Sequence, residues 1–296
     1  MEKLILNCPL CPGDVMTLTA AVESLHAAFP GKYQTDVRTS VPAIWQHNPW
    51  ITPLADGDAR RIDCQYPSIG RSNQVSVPFL GGYTEDLAQQ LGVPIPLAVN
   101  RPYLYLSDEE KGWINQVREL TPNQHDRPYW LVNAGVKGDY PAKAWPIEHY
   151  QQVIDLTRGK ILWIQIGEAG HNHPELRGVL NLVGKTDTRQ LIRLAYHACG
   201  GLGPVTFLQH LMAAWQKPYV CLLGGREPAT WVQYPLQHTL HAIGSLDCCR
   251  TAACWKSKIE ADCSRPVLGL ARPAGQCMAM IRPEEVLMVL DRLTNV

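Results

Sequence analysis

Residues 4–29 compress a strand, a tight loop and a helix into one unit, and that unit restricts the chain to a small set of folds. Leu4-Ile5-Leu6 is an apolar run. Val15, Leu18, Val22, Leu25 and Phe29 follow at alternating spacings of 3 and 4, which marks one apolar helix face, stopped by Pro30-Gly31. A strand feeding a helix through a short loop is half of a parallel α/β unit. In such units the loop lies at the carboxyl end of the strand, where α/β sheets bind ligands and the helix amino terminus favours anions. With 296 residues, 46% of them hydrophobic, the chain can bury one large or two medium cores.

The alternation continues. Up to about Arg118, strand-like runs (Gln34 to Arg38, Arg61 to Tyr66, Tyr103 to Leu106) alternate with helical ones (Tyr83 to Leu91, Glu109 to Leu120). LTPNQHDRPYW then punctuates the chain, so a domain boundary is placed at Thr121 to Arg127, between an amino-terminal domain, 1–122, and a carboxyl-terminal one, 123–296. In the second half RPYWLVNAGV, KILWIQIGE, NLVGKT and PYVCLLGG read as strands, and AWPIEHYQQVIDL, DTRQLIRLAYHA and FLQHLMAAW as helices. These describe a second doubly wound α/β domain.

Charge and cysteine content narrow the function. Lys+Arg and Asp+Glu are equal at 27 each, which argues against a general electrostatic grip on nucleic acid or acidic membrane. No apolar stretch approaches a membrane span, and three apolar residues before Asn7 are too few for a signal peptide, so a cytoplasmic protein is expected. Five of the ten cysteines (Cys248, Cys249, Cys254, Cys263, Cys277) crowd into one segment. In a reducing compartment that reads as metal binding before disulfides. Thiolates from Cys249 (or Cys248), Cys254, Cys263 and Cys277 would close a tetrahedral zinc or iron site with no open position, hence a structural one; the alternative is a set of buried free cysteines.

The loop NCPLCPGD offers two chemistries. Its C-x-x-C at a helix mouth suggests a redox pair with a reactive Cys8. Thioredoxin folds, however, place that motif after an earlier strand and helix, and here only seven residues precede it. Asp14 on the same turn suggests a substrate-binding loop, with an ordinary helix cap as its plain alternative. GKT at 184–186 is no P-loop, since the motif's first glycine position holds Val179. His171 and His173 lack a third ligand at helical spacing and read as exposed loop residues.

Seven segments in series carry a family resemblance: GDVMTLTAAVESLHAAFPG, KAWPIEHY, IQIGEAGHNHPEL, GKTDTRQLIRL, HLMAAWQKPYVCLLGGREPATW, CC…CW and CMAMIRPEEV. In this order they resemble glycosyltransferase family 9, the ADP-heptose heptosyltransferases, and especially the branch of protein O-heptosyltransferases acting on bacterial autotransporters. The resemblance implies the GT-B architecture, two Rossmann-like lobes with the active cleft between them, and a final helix, 283–293, packing back across the amino-terminal lobe through Val286, Val289, Leu290 and Leu293.

It also implies inverting, metal-independent transfer of a sugar, heptose, from a nucleotide-sugar donor, ADP-heptose, to a hydroxyl. Such transfer needs a carboxylate to take the acceptor's proton, and cations and helix amides to hold the leaving diphosphate. The resemblance puts Asp14 in the base position, Lys143 on the phosphates, Glu168 on the ribose, Thr186 on the nucleotide side, and Thr206 and His210 on the Thr and His of a D-T-G-x-x-H donor motif. The acceptor stays open among lipopolysaccharide core, a protein and a modified nucleobase, and a homo-oligomer is compatible. The motif's Asp position holds Val205 and its Gly position Phe207. Those departures keep an alternative in view, a degenerate member that binds a nucleotide or a partner without catalysis. A thiol oxidoreductase built on Cys8 and Cys11 is the third reading.

Overall fold

The computed structural model describes residues 1–113, 116–121, 127–137, 141–254 and 263–294. The domain cut at 122/123 and residues 255–262 of the cysteine-rich segment lie outside the described residues.

The opening unit forms as its spacing predicts. β1 (Glu2–Cys8) runs through Pro9, Leu10 and Cys11 into α1 (Pro12–Ala28). β2 (Tyr33–Thr39) and β3 (Arg60–Asp63) pair in parallel with opposite edges of β1, giving the order β2-β1-β3. A central parallel strand is covered on both faces, and Leu4, Ile5 and Leu6 are accordingly no more than 1% exposed. α2 (Gly82–Leu91) stops at Gly92, whose φ of 67° is the left-handed cap that glycine accepts without strain.

Two segments of this lobe differ from expectation. Tyr103 to Leu106 joins no sheet. It lies extended along α1, where the Tyr103 amide donates to Thr19 Oγ1 (2.8 Å) and the Tyr105 hydroxyl to Glu23 Oε1 (2.6 Å). The run from Glu109 to Leu120 is two short helices, α3 (Asp108–Gly112) and α4 (Gln116–Leu120), because Trp113, after Gly112, turns extended at ψ 136°.

The second lobe is a six-stranded parallel sheet: β4 (Tyr129–Val132), β5 (Leu162–Gln165), β6 (Leu180–Asn181), β7 (Gly200–Pro204), β8 (Tyr219–Gly224) and β9 (Gln237–His241), in the order β6-β5-β4-β7-β8-β9. α5 (Ile147–Leu156), α6 (Thr188–His197), α7 (Phe207–Ala214) and α8 (Ala229–Val232) join successive strands. The order reverses between β4 and β7, and the crevice at that switch point is where such sheets hold ligands. β7 is hidden in the sequence by its glycines. A Cβ on Gly200 would sit 2.6 Å from the Trp130 ring, and one on Gly203 2.6 Å from the Asn133 carbonyl oxygen, so close strand approach dictates the composition.

α1 is buried beyond its sheet-facing side because α7 covers it from the other lobe: Ala20 packs with Leu80, Ala213 and Tyr234. Arg101 Nη1 donates to the Ala214 carbonyl (2.6 Å), and Arg189 of α6 reaches the Tyr105 carbonyl (2.6 Å) and Glu110 Oε2 (2.6 Å). The last helix, α9 (Pro283–Thr294), corrects the expectation of a crossing to the amino-terminal lobe. Val286 and Leu290 bury with Tyr150, Val153 and Ile154, and Gln152 donates to Glu284 (3.2 Å), so the apolar face is covered by α5 of its own lobe. No helix among the described residues is long and apolar enough to cross a membrane.

Candidate active site

Asp14 stands in the first turn of α1. Its Oδ2 accepts from the Cys11 amide (3.1 Å), so the capping role is realised. Capping does not exhaust the residue. Burial pushes the Asp14 carboxyl above the usual carboxylate range, while the Tyr66 hydroxyl, the Cys11 amide and the charge of Lys143 favour the anion. Tyr66 also shares a hydrogen bond with Thr17 Oγ1 (2.7 Å), and its ring lies 4.1 Å from that of Tyr83.

Cys8 belongs to this floor. Its Sγ lies 3.1 Å from the Tyr83 hydroxyl, it is fully buried, and burial raises its thiol pKa. Cys8 and Cys11 are free thiols. A redox pair needs an accessible thiol of lowered pKa, so the environment of Cys8 is the reverse of what that reading requires.

The opposite wall comes from the other lobe. Lys143, between β4 and α5, places Nζ 3.2 Å from the Val205 carbonyl and 3.4 Å from Glu227 Oε1. Its charge acts on both Asp14 and His210. His210 of α7 is buried, its Nδ1 lies 2.7 Å from the Tyr234 hydroxyl, and its far edge rests on Gly13. A Cβ at Gly13 would meet His210 Cδ2 and Nε2 at 3.1 Å. The residue before Asp14 is thus in contact with a histidine of the second lobe. Burial first, then Lys143, lowers the His210 pKa to about 3, so its imidazole is neutral at pH 7.

Thr206 is the N-cap residue of α7, and its Oγ1 accepts from Asn133 Nδ2 (3.3 Å), a bond that spans the switch point between β4 and β7. Asn133 and the pair Arg226-Glu227 escaped the sequence reading of the site. The only signal was their place after strands, in LVNAG and LLGGRE.

Glu168 and Thr186 stand farther along the rim, past β5 and β6, rather than at the β4–β7 crevice. The Glu168 side chain is 75% exposed, 3.4 Å from His171. The amide of Gly184 donates to the Gly167 carbonyl (2.8 Å) and ties the two loops together. His173 is a correction to the exposed-loop reading: its ring covers Gly135 and Gly167, where added Cβ atoms would meet ring atoms at 2.3 and 1.9 Å. Burial lowers its pKa to about 4.

Cys249, Cys254, Cys263 and Cys277 gather beside the glycine turn that ends β8. A Cβ on Gly225 would lie 2.6 Å from Cys249 Sγ and 3.4 Å from Cys277 Cβ, and one on Gly275 3.6 Å from Cys263 Sγ. The Cys254 amide donates to the Gly225 carbonyl (3.0 Å). Burial, with the charges of Cys254, Cys263 and Cys249, pushes the Cys277 thiol up to about 11. Among the described residues no three Cys, His, Asp or Glu side chains form a ready metal-holding group, so the expected four-cysteine site is present as a neighbourhood of thiols, not as a closed tetrahedron.

A model of glycosyltransferase family 9 (heptosyltransferase) matches residues 83–260, more than half of the chain. The chain belongs to glycosyltransferase family 9. The match includes Lys143, Glu168, Thr186, Thr206 and His210 but begins after the Asp14 loop. No curated protein matches the chain. Among solved structures, a family 9 glycosyltransferase from Veillonella parvula is similar with 14% identity and a TM-score of 0.68, over 99% of this chain and 97% of that one. The ADP-heptose lps heptosyltransferase II of E. coli is similar with 17% identity and a TM-score of 0.64, over 100% and 99%. TibC from enterotoxigenic E. coli H10407, an iron-containing dodecameric glycosyltransferase, has 17% identity and a TM-score of 0.65, over 99% of this chain and 76% of that one. Likeness at these identities carries the fold: this family 9 glycosyltransferase has the GT-B architecture of two Rossmann-like lobes.

Proposed function

We propose that this glycosyltransferase transfers heptose from ADP-heptose to an acceptor hydroxyl with inversion. One observation carries the reading: Asp14 of one lobe and Lys143 of the other lie near enough for the ammonium to act on the carboxyl, with His210 seated on Gly13 beside them. In this reading the two face each other across the lobes as base and phosphate-binding cation. In this reading the acceptor oxygen attacks the anomeric carbon, the bond to the diphosphate breaks, ADP leaves, and the acceptor's proton ends on Asp14. A carboxyl raised by burial is a stronger base than an exposed one. Lys143, Thr206 and the α7 amides stabilise charge on the leaving diphosphate, and neutral His210 packs the donor side. Glu168 and Thr186, on the β5–β6 rim, take the ribose and the nucleotide side.

The acceptor is a hydroxyl of a lipopolysaccharide core, a protein or a modified nucleobase. Ten free thiols fit a reducing compartment, the cytoplasm. The thiols around Gly224-Gly225 fit a structural iron or zinc: thiolate donors suit both metals, and TibC is iron-containing. Cys249, Cys254, Cys263 and Cys277 would hold it, with Cys248 as the neighbour of Cys249, and the metal would staple the segment after β9 without entering the transfer step. TibC is also dodecameric, which supports a homo-oligomer here.

Val205 and Phe207 favour the second reading, nucleotide binding without transfer. Thermal unfolding against a panel of nucleotide sugars tests the first. A donor at 100 times its Kd adds about 2.7 kcal/mol of stability, so ADP-heptose should raise Tm by several degrees. No shift with any nucleotide or nucleotide sugar would overturn both readings.

A further inference from the structure

Glu227 follows the glycine turn after β8, and its side chain is 6% exposed. Its two oxygens have unlike surroundings. Oε1 lies 3.4 Å from Lys143 Nζ and 3.3 Å from Arg226 Nη1. Oε2 is buried and has no hydrogen-bond partner among the described residues. A buried carboxylate oxygen without a donor is unfavourable, and such an atom in a binding cleft marks the place of a group that arrives with the ligand.

The chemistry of that group is constrained. Oε2 is an anionic acceptor, so it repels a phosphate oxygen and requires a hydrogen-bond donor. Lys143 also donates to the Val205 carbonyl (3.2 Å), so Glu227 and position 205 meet through one ammonium, at a place where Val205 brings no carboxylate of its own. A diphosphate on Lys143 would put the sugar it carries beside Glu227, and hydroxyls are the donors a sugar offers. The ribose hydroxyls would lie toward the β5–β6 rim, at the other end of the nucleotide. We infer that Glu227 reads the transferred sugar, with Oε2 accepting a hydrogen bond from one of its hydroxyls. The inference rests on the nucleotide-sugar reading above.

Calorimetric titration of ADP and of ADP-heptose into the wild type, Glu227→Gln and Glu227→Asp tests it. Gln keeps a carbonyl for the two cations and turns an amide toward the sugar; Asp keeps the charge, withdraws it by one methylene, and carries the test if the Gln variant does not fold. The wild type should bind ADP-heptose more tightly than ADP. In either variant that preference should fall by roughly 10-fold or more, the worth of a hydrogen bond to a charged group, with affinity for ADP itself unchanged or raised. Equal changes for both ligands would mean that Glu227 only neutralises Lys143 and Arg226, and would overturn the inference. A wild type that binds ADP and ADP-heptose equally would overturn it too, while leaving nucleotide binding intact. A wild type that binds neither would overturn the nucleotide-sugar reading and this inference with it.

Discussion

Replacing Glu110 by Gln should loosen the joint between the lobes, with a pH signature that the structure specifies. Arg189 of α6 donates through Nη2 to Glu110 Oε2 (2.6 Å), the two side chains are 11% and 12% exposed, and His47 Nε2 stands 3.5 Å from the same carboxylate. The Arg189 hydrogen bonds hold the Glu110 carboxyl at about 2, against 4.5 for an ordinary Glu, a difference worth about 3 kcal/mol. Because the folded pKa is the lower one, this stabilisation is present above pH ~4.5 and is lost as pH falls toward ~2. Linkage leaves about 2 kcal/mol of it at pH ~3.5, so the gap between wild type and E110Q should narrow by about 1 kcal/mol from pH ~7. Urea unfolding of both proteins across that range gives the gap directly. A gap under about 1 kcal/mol at neutral pH, or one that does not change with pH, would show that the pair behaves as a solvated surface bridge and does not hold the lobes together.

Gly13→Ala should cost about 1–3 kcal/mol and reduce transfer, because the new Cβ meets His210 ring atoms at 3.1 Å and His210 is held by Tyr234; unchanged unfolding would mean the lobes separate freely there. Cys8→Ala should leave transfer intact, since the thiol is buried beneath the site, and loss of transfer with the fold preserved would return the loop to thiol chemistry. Elemental analysis of protein prepared without affinity-tag metal should find about one iron or zinc per chain, reduced in Cys277→Ser; neither metal in the wild type would refute the four-thiol assignment.

Sequence periodicity made the βα units legible wherever one face of an element meets the core. β1, α1, β2, α2 and the strand after Arg127 follow from it. It failed where tertiary contact overrides local preference. β7 is written in glycines because Trp130 and the Asn133 carbonyl press on it, and Tyr103 to Leu106 alternates like a strand yet buries Leu104 and Leu106 along α1. The apolar stripe of α9 was visible but not its destination, since a stripe says only that some surface covers it. The structure brings together four candidate residues, of which Asp14 was singled out from its turn and Lys143, Thr206 and His210 through the family resemblance. Glu227 and Asn133 were not, because their roles depend on partners 84 and 73 positions away along the chain, Lys143 and Thr206.

The central claim, a base on one lobe serving a nucleotide sugar held by the other, is tested most directly by Asp14→Asn. The measurement is the rate of ADP release from ADP-heptose with glycan, protein and nucleic-acid fractions as acceptors, alongside the Kd for ADP. The amide is nearly isosteric and still accepts from the Cys11 amide, so ADP affinity should hold while the rate falls by a factor of roughly 10² to 10⁴. An Asp14→Asn protein that turns over ADP-heptose at the wild-type rate would contradict the account.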